Sequence, residues 1–268
     1  MRAYDCDCPQ KIEDDIGNSL RDFNAWIMET YPAGRELGAL ALAKHIEPVG
    51  AQYDLLTAME EKVEQFLLGS WLTGWHMTNL SDPESIRKNG IIAWGVDQSL
   101  ARVESLCDIC GLAQEETSEC LEGAEAYLAR DASRRKSVHF YSSRSIEEQY
   151  LQYADMVGGE LVRWTIGNIK SGKYTYKLQE LGHPMAIKFM YPVDLVSPLA
   201  VRKLFRGISR VHIVNLLCGE CMPPSFDAYI EKSVLPEWIV GAIELDTLDD
   251  GCVAFGDDKV MKPWTEEQ

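Results

Sequence analysis

Gly74-Trp75-His76-Met77-Thr78-Asn79-Leu80, followed by Ser81-Asp82-Pro83-Glu84-Ser85-Ile86-Arg87-Lys88-Asn89-Gly90-Ile91, decides how the chain is read. Trp75-His76-Met77-Thr78 predicts a short strand. Ser81-Asp82-Pro83-Glu84 predicts a helix start, with a capping residue, a proline near the first turn and acidic groups at the positive end of the helix dipole. That helix runs through Ile86 to Lys88 and stops at Asn89-Gly90, because glycine takes the left-handed conformation that closes helices. Before this stretch, residues 10–70 read as helices. Ile16, Leu20, Phe23 and Ile27 recur at helical spacing, as do Leu55, Met59, Val63, Phe66 and Leu67, and Pro32 and Gly34 separate the first run from the next.

Beyond it, residues 97–130 read as two helical stretches, carried by Leu100, Val103 and Leu106 and then by Cys120, Ala124, Tyr127 and Leu128. They look like an insertion. Val138-His139-Phe140-Tyr141 predicts a strand, Ser145 to Met156 a helix, and Gly158-Gly159 a break before a strand over 160–166. Further strands are expected at 186–191, 211–216 and 239–245. The expected fold is α+β with short mixed strands. It comprises a helical N-terminal subdomain over 1–70 and a catalytic domain over 71–268 that carries the insertion.

With 46% apolar and 25% charged residues, the chain falls outside the composition of disordered proteins. No run of about 18 apolar residues predicts a membrane span, and Met1-Arg2-Ala3-Tyr4-Asp5-Cys6 lacks the order of a secretory signal. The expected location is cytoplasmic, without membrane association. The net charge of −16 argues against unspecific binding to nucleic acid. Arg130, Arg134, Arg135, Lys136 and Arg144 nonetheless form a local basic cluster, whose plain alternative is a solvated surface turn.

Two further segments stand out. One is Arg135-Lys136-Ser137-Val138-His139-Phe140-Tyr141-Ser142-Ser143-Arg144-Ser145, with Tyr150 after it. The other is Tyr229-Ile230-Glu231-Lys232-Ser233-Val234-Leu235-Pro236-Glu237. In this order, with the 74–91 stretch, they resemble the diphtheria-toxin/PARP class of ADP-ribosyltransferases and, within that group, DarT-type nucleic-acid-modifying toxins. The resemblance covers about residues 72–166 and 225–245. Two features depart from it: Met77 stands where many members carry glycine, and the 97–130 insertion separates the first segment from the second.

The resemblance implies an ADP-ribosyltransferase-like core that uses NAD as substrate. His76 and Thr78 would hold NAD, with His139, Tyr141, Ser142 and Tyr150 completing its site and Tyr141 favoured to stack on nicotinamide. Glu231 would be the catalytic carboxylate, with Glu237 the weaker alternative, and Arg135 would bind pyrophosphate or polarise the acceptor. It further implies transfer of ADP-ribose to RNA or DNA in a toxin or anti-phage role, with an antitoxin or inhibitor protein as partner. A protein acceptor and a catalytically inactive binding module are the alternatives.

The chemistry explains the residue types. Breaking the nicotinamide–ribose bond develops oxocarbenium-like charge, which a fixed carboxylate stabilises in the transition state. A neutral histidine hydrogen-bonds ribose, and an aromatic face holds a planar ring. Taken singly, His76, Tyr141 and Glu231 are ordinary core or surface residues; their order and the helix–glycine punctuation set them apart. Cys107-Asp108-Ile109-Cys110 and Cys218-Gly219-Glu220-Cys221 have zinc-ligand spacing, but they read first as reduced thiols, so no metal site is expected.

Overall fold

The structure, a computed structural model, describes residues 2–30, 51–130, 134–144, 151, 154–219, 221–224, 226–247, 253–256 and 262–263. They form a mixed α/β fold with an open antiparallel sheet. The chain divides into two compact units. One takes residues 1–74, 141–145 and 190–228; the other takes 75–140, 146–189 and 229–268.

In the first unit the short β1 (Ala3–Tyr4) pairs in parallel with the start of β2 (Trp71–Leu80), Ala3 against Trp71 and Tyr4 against Leu72. The helices follow the expected periodicity: α1 (Gln10–Ser19), α2 (Arg21–Thr30) and α3 (Ala51–Leu67) bury Ile12, Ile16, Leu20, Ile27, Met59, Val63 and Leu67. Pro32 and Gly34 lie outside the described residues. Tyr4 donates to Asp15 Oδ2 at 3.0 Å, and burial, reinforced by that carboxylate, pushes its phenol up to about 12. Thr73 Oγ1 accepts the Cys6 N–H at 2.9 Å and donates to Asp5 Oδ1 at 3.1 Å, tying the N-terminal segment to β2.

The strands of the main sheet are hydrogen-bonded in the order β5-β3-β2-β4-β6-β7. These are β5 (Asp227–Ile230), β3 (Val138–Tyr141), β2, β4 (His183–Pro192), β6 (Ile239–Glu244) and β7 (Lys262–Pro263). β4 and β6 run antiparallel, with Met185 opposite Glu244 and Lys188 opposite Gly241. The helix expected after Asp82 is α4 (Glu84–Asn89); Asp82 Oδ1 accepts the Glu84 N–H at 3.0 Å, and Gly90 closes it at φ 72°. The insertion is the pair α5 (Val96–Cys110) and α6 (Gln114–Arg130).

Two expectations are corrected. Residues 160–166 are not a strand: Gly159–Trp164 is helix α7, followed by 3₁₀ turns over 166–172. Val162, Ile166 and Ile169 satisfy helical spacing as well as a strand run does, and as a helix they enter one buried cluster with Val103, Leu106, Cys107, Cys120 and Ala124 of the insertion. Burying each such side chain is worth about 1.5–3 kcal/mol, whereas β-propensity differences span only ~1 kcal/mol, so packing decides. Gly158 allows the approach, because at φ 93° a Cβ there would lie 2.2 Å from Val162 Cγ2.

Residues 211–216 likewise belong to a helix, α9 (Pro198–Cys218), in the first unit. Its buried positions Leu204, Ile208 and His212 continue one helical face through the β-branched run. The helix expected over 145–156 falls largely outside the described residues, and Asp155 to Gly158 is bend and turn. Thr175–Glu180 is a further short helix, α8.

Candidate active site

The three segments singled out in the sequence fall on or beside the neighbouring strands β2, β3 and β5; His76, His139 and Glu231 belong to the second unit, Tyr141 and Ser142 to the first. Along β2, His76, Thr78 and Leu80 are the less buried alternates to Met77 and Asn79. Along β3, His139 and Tyr141 alternate with the buried Val138 and Phe140, so those two share a face, as expected.

His76 Nδ1 lies 2.8 Å from the backbone carbonyl of His139. A carbonyl only accepts, so Nδ1 carries the proton and Nε2 is the acceptor nitrogen. Among the described residues Nε2 has no partner. Burial pulls the His76 imidazole below the usual histidine range, against the raising effect of that hydrogen bond, and so keeps it neutral at physiological pH.

The His139 ring stacks on Tyr229 of β5, with centroids 5.0 Å apart and planes 27° apart. Tyr229 was not among the expected site residues. Its place two positions before Glu231 was the available signal, because alternation puts Tyr229 on the face toward which Glu231 continues.

Glu231 sits in the bend just past β5 and is exposed, as is Glu237. The loop after Glu231 is clamped to the end of the first segment. Ile91 N–H donates to Val234 O at 3.0 Å, Val234 N–H donates to Ile91 O at 2.9 Å, and Ala93 N–H donates to Ser233 Oγ at 3.0 Å. Gly90 makes this possible: a Cβ at that position would lie 1.9 Å from the Val234 carbonyl oxygen. The glycine that ends α4 is therefore also where the glutamate-bearing loop is held.

Other expected residues are committed elsewhere. The Arg135 guanidinium donates to the carbonyls of Leu128, at 2.7 Å, and Ala129, at 3.0 Å, capping the end of α6. Its neighbour Arg134 is ion-paired with Glu160 and lies over the Tyr127 ring, and both Arg134 and His139 line a cleft of about 180 Å³. Ser142 is buried in the first unit; its hydroxyl donates to Pro224 O at 2.5 Å and accepts the Phe226 N–H at 3.0 Å. Asp7 Oδ1 accepts the Ser143 hydroxyl and the Arg144 N–H. Tyr150 lies outside the described residues.

The cysteines are placed without a metal cluster among the described residues. Cys107, Cys110 and Cys120 are buried in the second unit, and burial raises all three thiols, Cys120 to about 12. Cys218 and Cys221 lie in the first unit, and Cys252 lies outside the described residues. Among the described residues no helix is long and apolar enough to cross a membrane. No protein-family model, curated protein or solved structure matches the chain.

Proposed function

We propose that the chain is a mono-ADP-ribosyltransferase that takes NAD as substrate and transfers ADP-ribose to a nucleic acid. The observation that carries this reading is the convergence of the three segments: β2, β3 and β5 are neighbours, and the Ile91–Val234 bridge ties the Glu231 loop to the first segment. A strand-borne histidine, an aromatic pair and a carboxylate from distant parts of the sequence thus belong to one edge of one unit.

In this reading neutral His76 accepts a ribose hydroxyl proton at Nε2, the nitrogen its own hydrogen bond to His139 leaves available. The ring surfaces on β3 and β5 hold nicotinamide. The nicotinamide–ribose bond breaks with its electron pair going to nicotinamide. Glu231 stabilises the positive charge that develops on the ribose, and an acceptor nucleophile bonds to the same carbon and loses its proton. Glu231 is exposed, and in this reading the substrate bound over it excludes water from it. A toxin or anti-phage role follows from a nucleic-acid acceptor.

The test is incubation of the purified chain with labelled NAD and separate pools of RNA, single-stranded DNA and protein, beside Glu231→Gln. Label transferred by wild type alone to a nucleic-acid pool is the expected result. The variant should lose transfer by about 100-fold or more at unchanged stability, since it removes charge and keeps shape. Label on protein alone overturns the acceptor, which the net charge of −16 makes the outcome to watch. No label and no released nicotinamide overturn the enzyme reading.

A further inference from the structure

The cleft that His139 lines is built mainly by residues the motifs do not contain. Trp94 stands before α5, Arg102 is on α5, Tyr127 is on α6, Arg134 lies in the turn before β3, and Glu160 is on α7; all belong to the second unit. Its charges do not cancel. Arg134 is paired with Glu160, whereas Arg102 has no hydrogen-bond or ion-pair partner among the described residues. Burial lowers the Arg102 pKa, and an arginine in that setting stays protonated. Among the described residues the cleft therefore holds one uncompensated positive charge, in a chain whose net charge is −16.

An uncompensated, partly desolvated guanidinium selects an anion that accepts hydrogen bonds, and it disfavours both cations and purely apolar ligands. The walls add a second requirement. Trp94, 39% exposed, offers aromatic surface to a planar ring, and Tyr127, whose ring lies 5.8 Å beneath the Arg134 guanidinium, lines the cleft beside it. The walls are also fixed. The Lys136 N–H donates to the Trp94 carbonyl at 3.0 Å, which holds the Arg134 turn to the tryptophan, and the Gly158–Val162 contact sets the opposite side. At about 180 Å³ the space falls below the roughly 300–1,000 Å³ of sites that enclose a drug-sized ligand. It suits one ring and one phosphate, and it is too small for a whole dinucleotide.

We infer that this cleft binds a single nucleoside 5′-phosphate unit, with Arg102 as the phosphate ligand and Trp94 as the wall for its base. The unit has two possible sources: a nucleotide of a nucleic-acid acceptor, or the adenylate half of NAD. The inference rests on the transferase reading only for the choice of source. Mononucleotide binding is a property of the cleft itself.

The experiment is calorimetric titration of the full chain with the four 5′-mononucleotides and their matching nucleosides, in wild type, Arg102→Gln and Arg102→Lys, with melting curves as the folding control. Wild type should bind at least one nucleotide about tenfold or more tighter than its nucleoside. Arg102→Gln should erase that difference, and Arg102→Lys should restore part of it. Should Arg102→Gln fail to fold, quenching of wild-type tryptophan fluorescence by the nucleotide, and its loss in Trp94→Phe, is the readout. Equal affinity for nucleotide and nucleoside, indifference to Arg102→Gln in a folded protein, or no saturable binding overturns the inference. Competition by NAD supports the cosubstrate source, and nucleotide binding undisturbed by NAD supports the acceptor source. Nicotinamide release, measured on the same samples, separates the two claims: binding without release leaves the cleft standing and removes the transferase, and release without binding does the reverse.

Discussion

Each compact unit carries a well-placed histidine, and the two differ in how fully the protein uses them. In the first unit His212 of α9 is buried, with Nδ1 2.7 Å from Glu13 Oε2 and Nε2 3.0 Å from Asn24 Oδ1. The Asn24 amide nitrogen donates to the Gly17 carbonyl at 3.2 Å, which fixes the amide oxygen toward the ring. Both nitrogens of His212 are therefore consumed in joining α1 and α2 to α9. In the second unit His76, among the described residues, makes one hydrogen bond and keeps one nitrogen in reserve. A histidine with both nitrogens satisfied is architecture, and one held by a single backbone carbonyl is oriented for something else.

The sharpest way to break this contrast is to remove His212. Its loss leaves the Glu13 carboxylate, only 10% exposed, without its partner, and breaking a buried pair on one side costs about 3–5 kcal/mol. His212→Ala should lower unfolding free energy by about that amount in denaturant titration, while nicotinamide release per folded molecule stays at the wild-type level. A loss under about 0.5 kcal/mol, typical of a neutral surface change, would show that the network is not structural.

Gly90→Ala is next. The new methyl must displace the Val234 carbonyl, and a non-glycine residue at φ 72° adds strain, together about 3 kcal/mol or more. Unlike His212→Ala, this change should also reduce turnover of whatever fraction folds, because it moves the loop that carries Glu231. Turnover unchanged in folded protein would detach that loop from the chemistry.

The sequence made some of this visible and hid the rest for definable reasons. β2, α4 and β3 are written locally: Asp82 and Gly90 bracket the helix with their own caps, and His139 and Tyr141 alternate with residues that must be buried. The helices at Gly159–Trp164 and Pro198–Cys218 are not, because Val162-Arg163-Trp164-Thr165-Ile166 and Val211-His212-Ile213-Val214 fit both periodicities, and only the partners across the core select one. The site divides in the same way. His76 and Glu231 lie in recognisable segments, whereas Arg102 and Trp94 face a cleft that is closed only where the insertion packs on α7, and nothing in Arg134-Arg135 tells which guanidinium caps a helix and which faces a cleft. His212 lay inside a run read as strand, where no partner on α1 was foreseeable.

The pH dependence of His76 sharpens the comparison with a smaller effect. Burial sets its folded pKa below the unfolded value of about 6.5. The unfolded chain then takes up the proton first as pH falls, so this contribution to stability is complete above about pH 6.5 and is lost progressively below it. Melting temperature should fall between about pH 7.5 and pH 5, and His76→Gln should show a shallower fall. It should also bind NAD more weakly at about pH 7.5, since glutamine does not reproduce the ring nitrogen's position. An identical pH slope in the variant would mean that the ring is already solvated.

The smallest effect separates two adjacent arginines. Arg135 makes two charge-assisted bonds to the last carbonyls of α6, and its replacement by glutamine should cost about 1–2 kcal/mol of stability, the worth of such a cap at a partly exposed helix end. Arg134 faces the cleft with its charge already met by Glu160, so Arg134→Gln should cost under about 1 kcal/mol, discounted for solvent screening. Instead it should change nucleotide affinity by leaving Glu160 to repel a phosphate. The pair is measured together, with melting curves and nucleotide titration on both variants. If Arg135→Gln alters nucleotide affinity and Arg134→Gln does not, the guanidinium that serves the cleft is the one expected from the sequence, and the cap at the end of α6 is incidental.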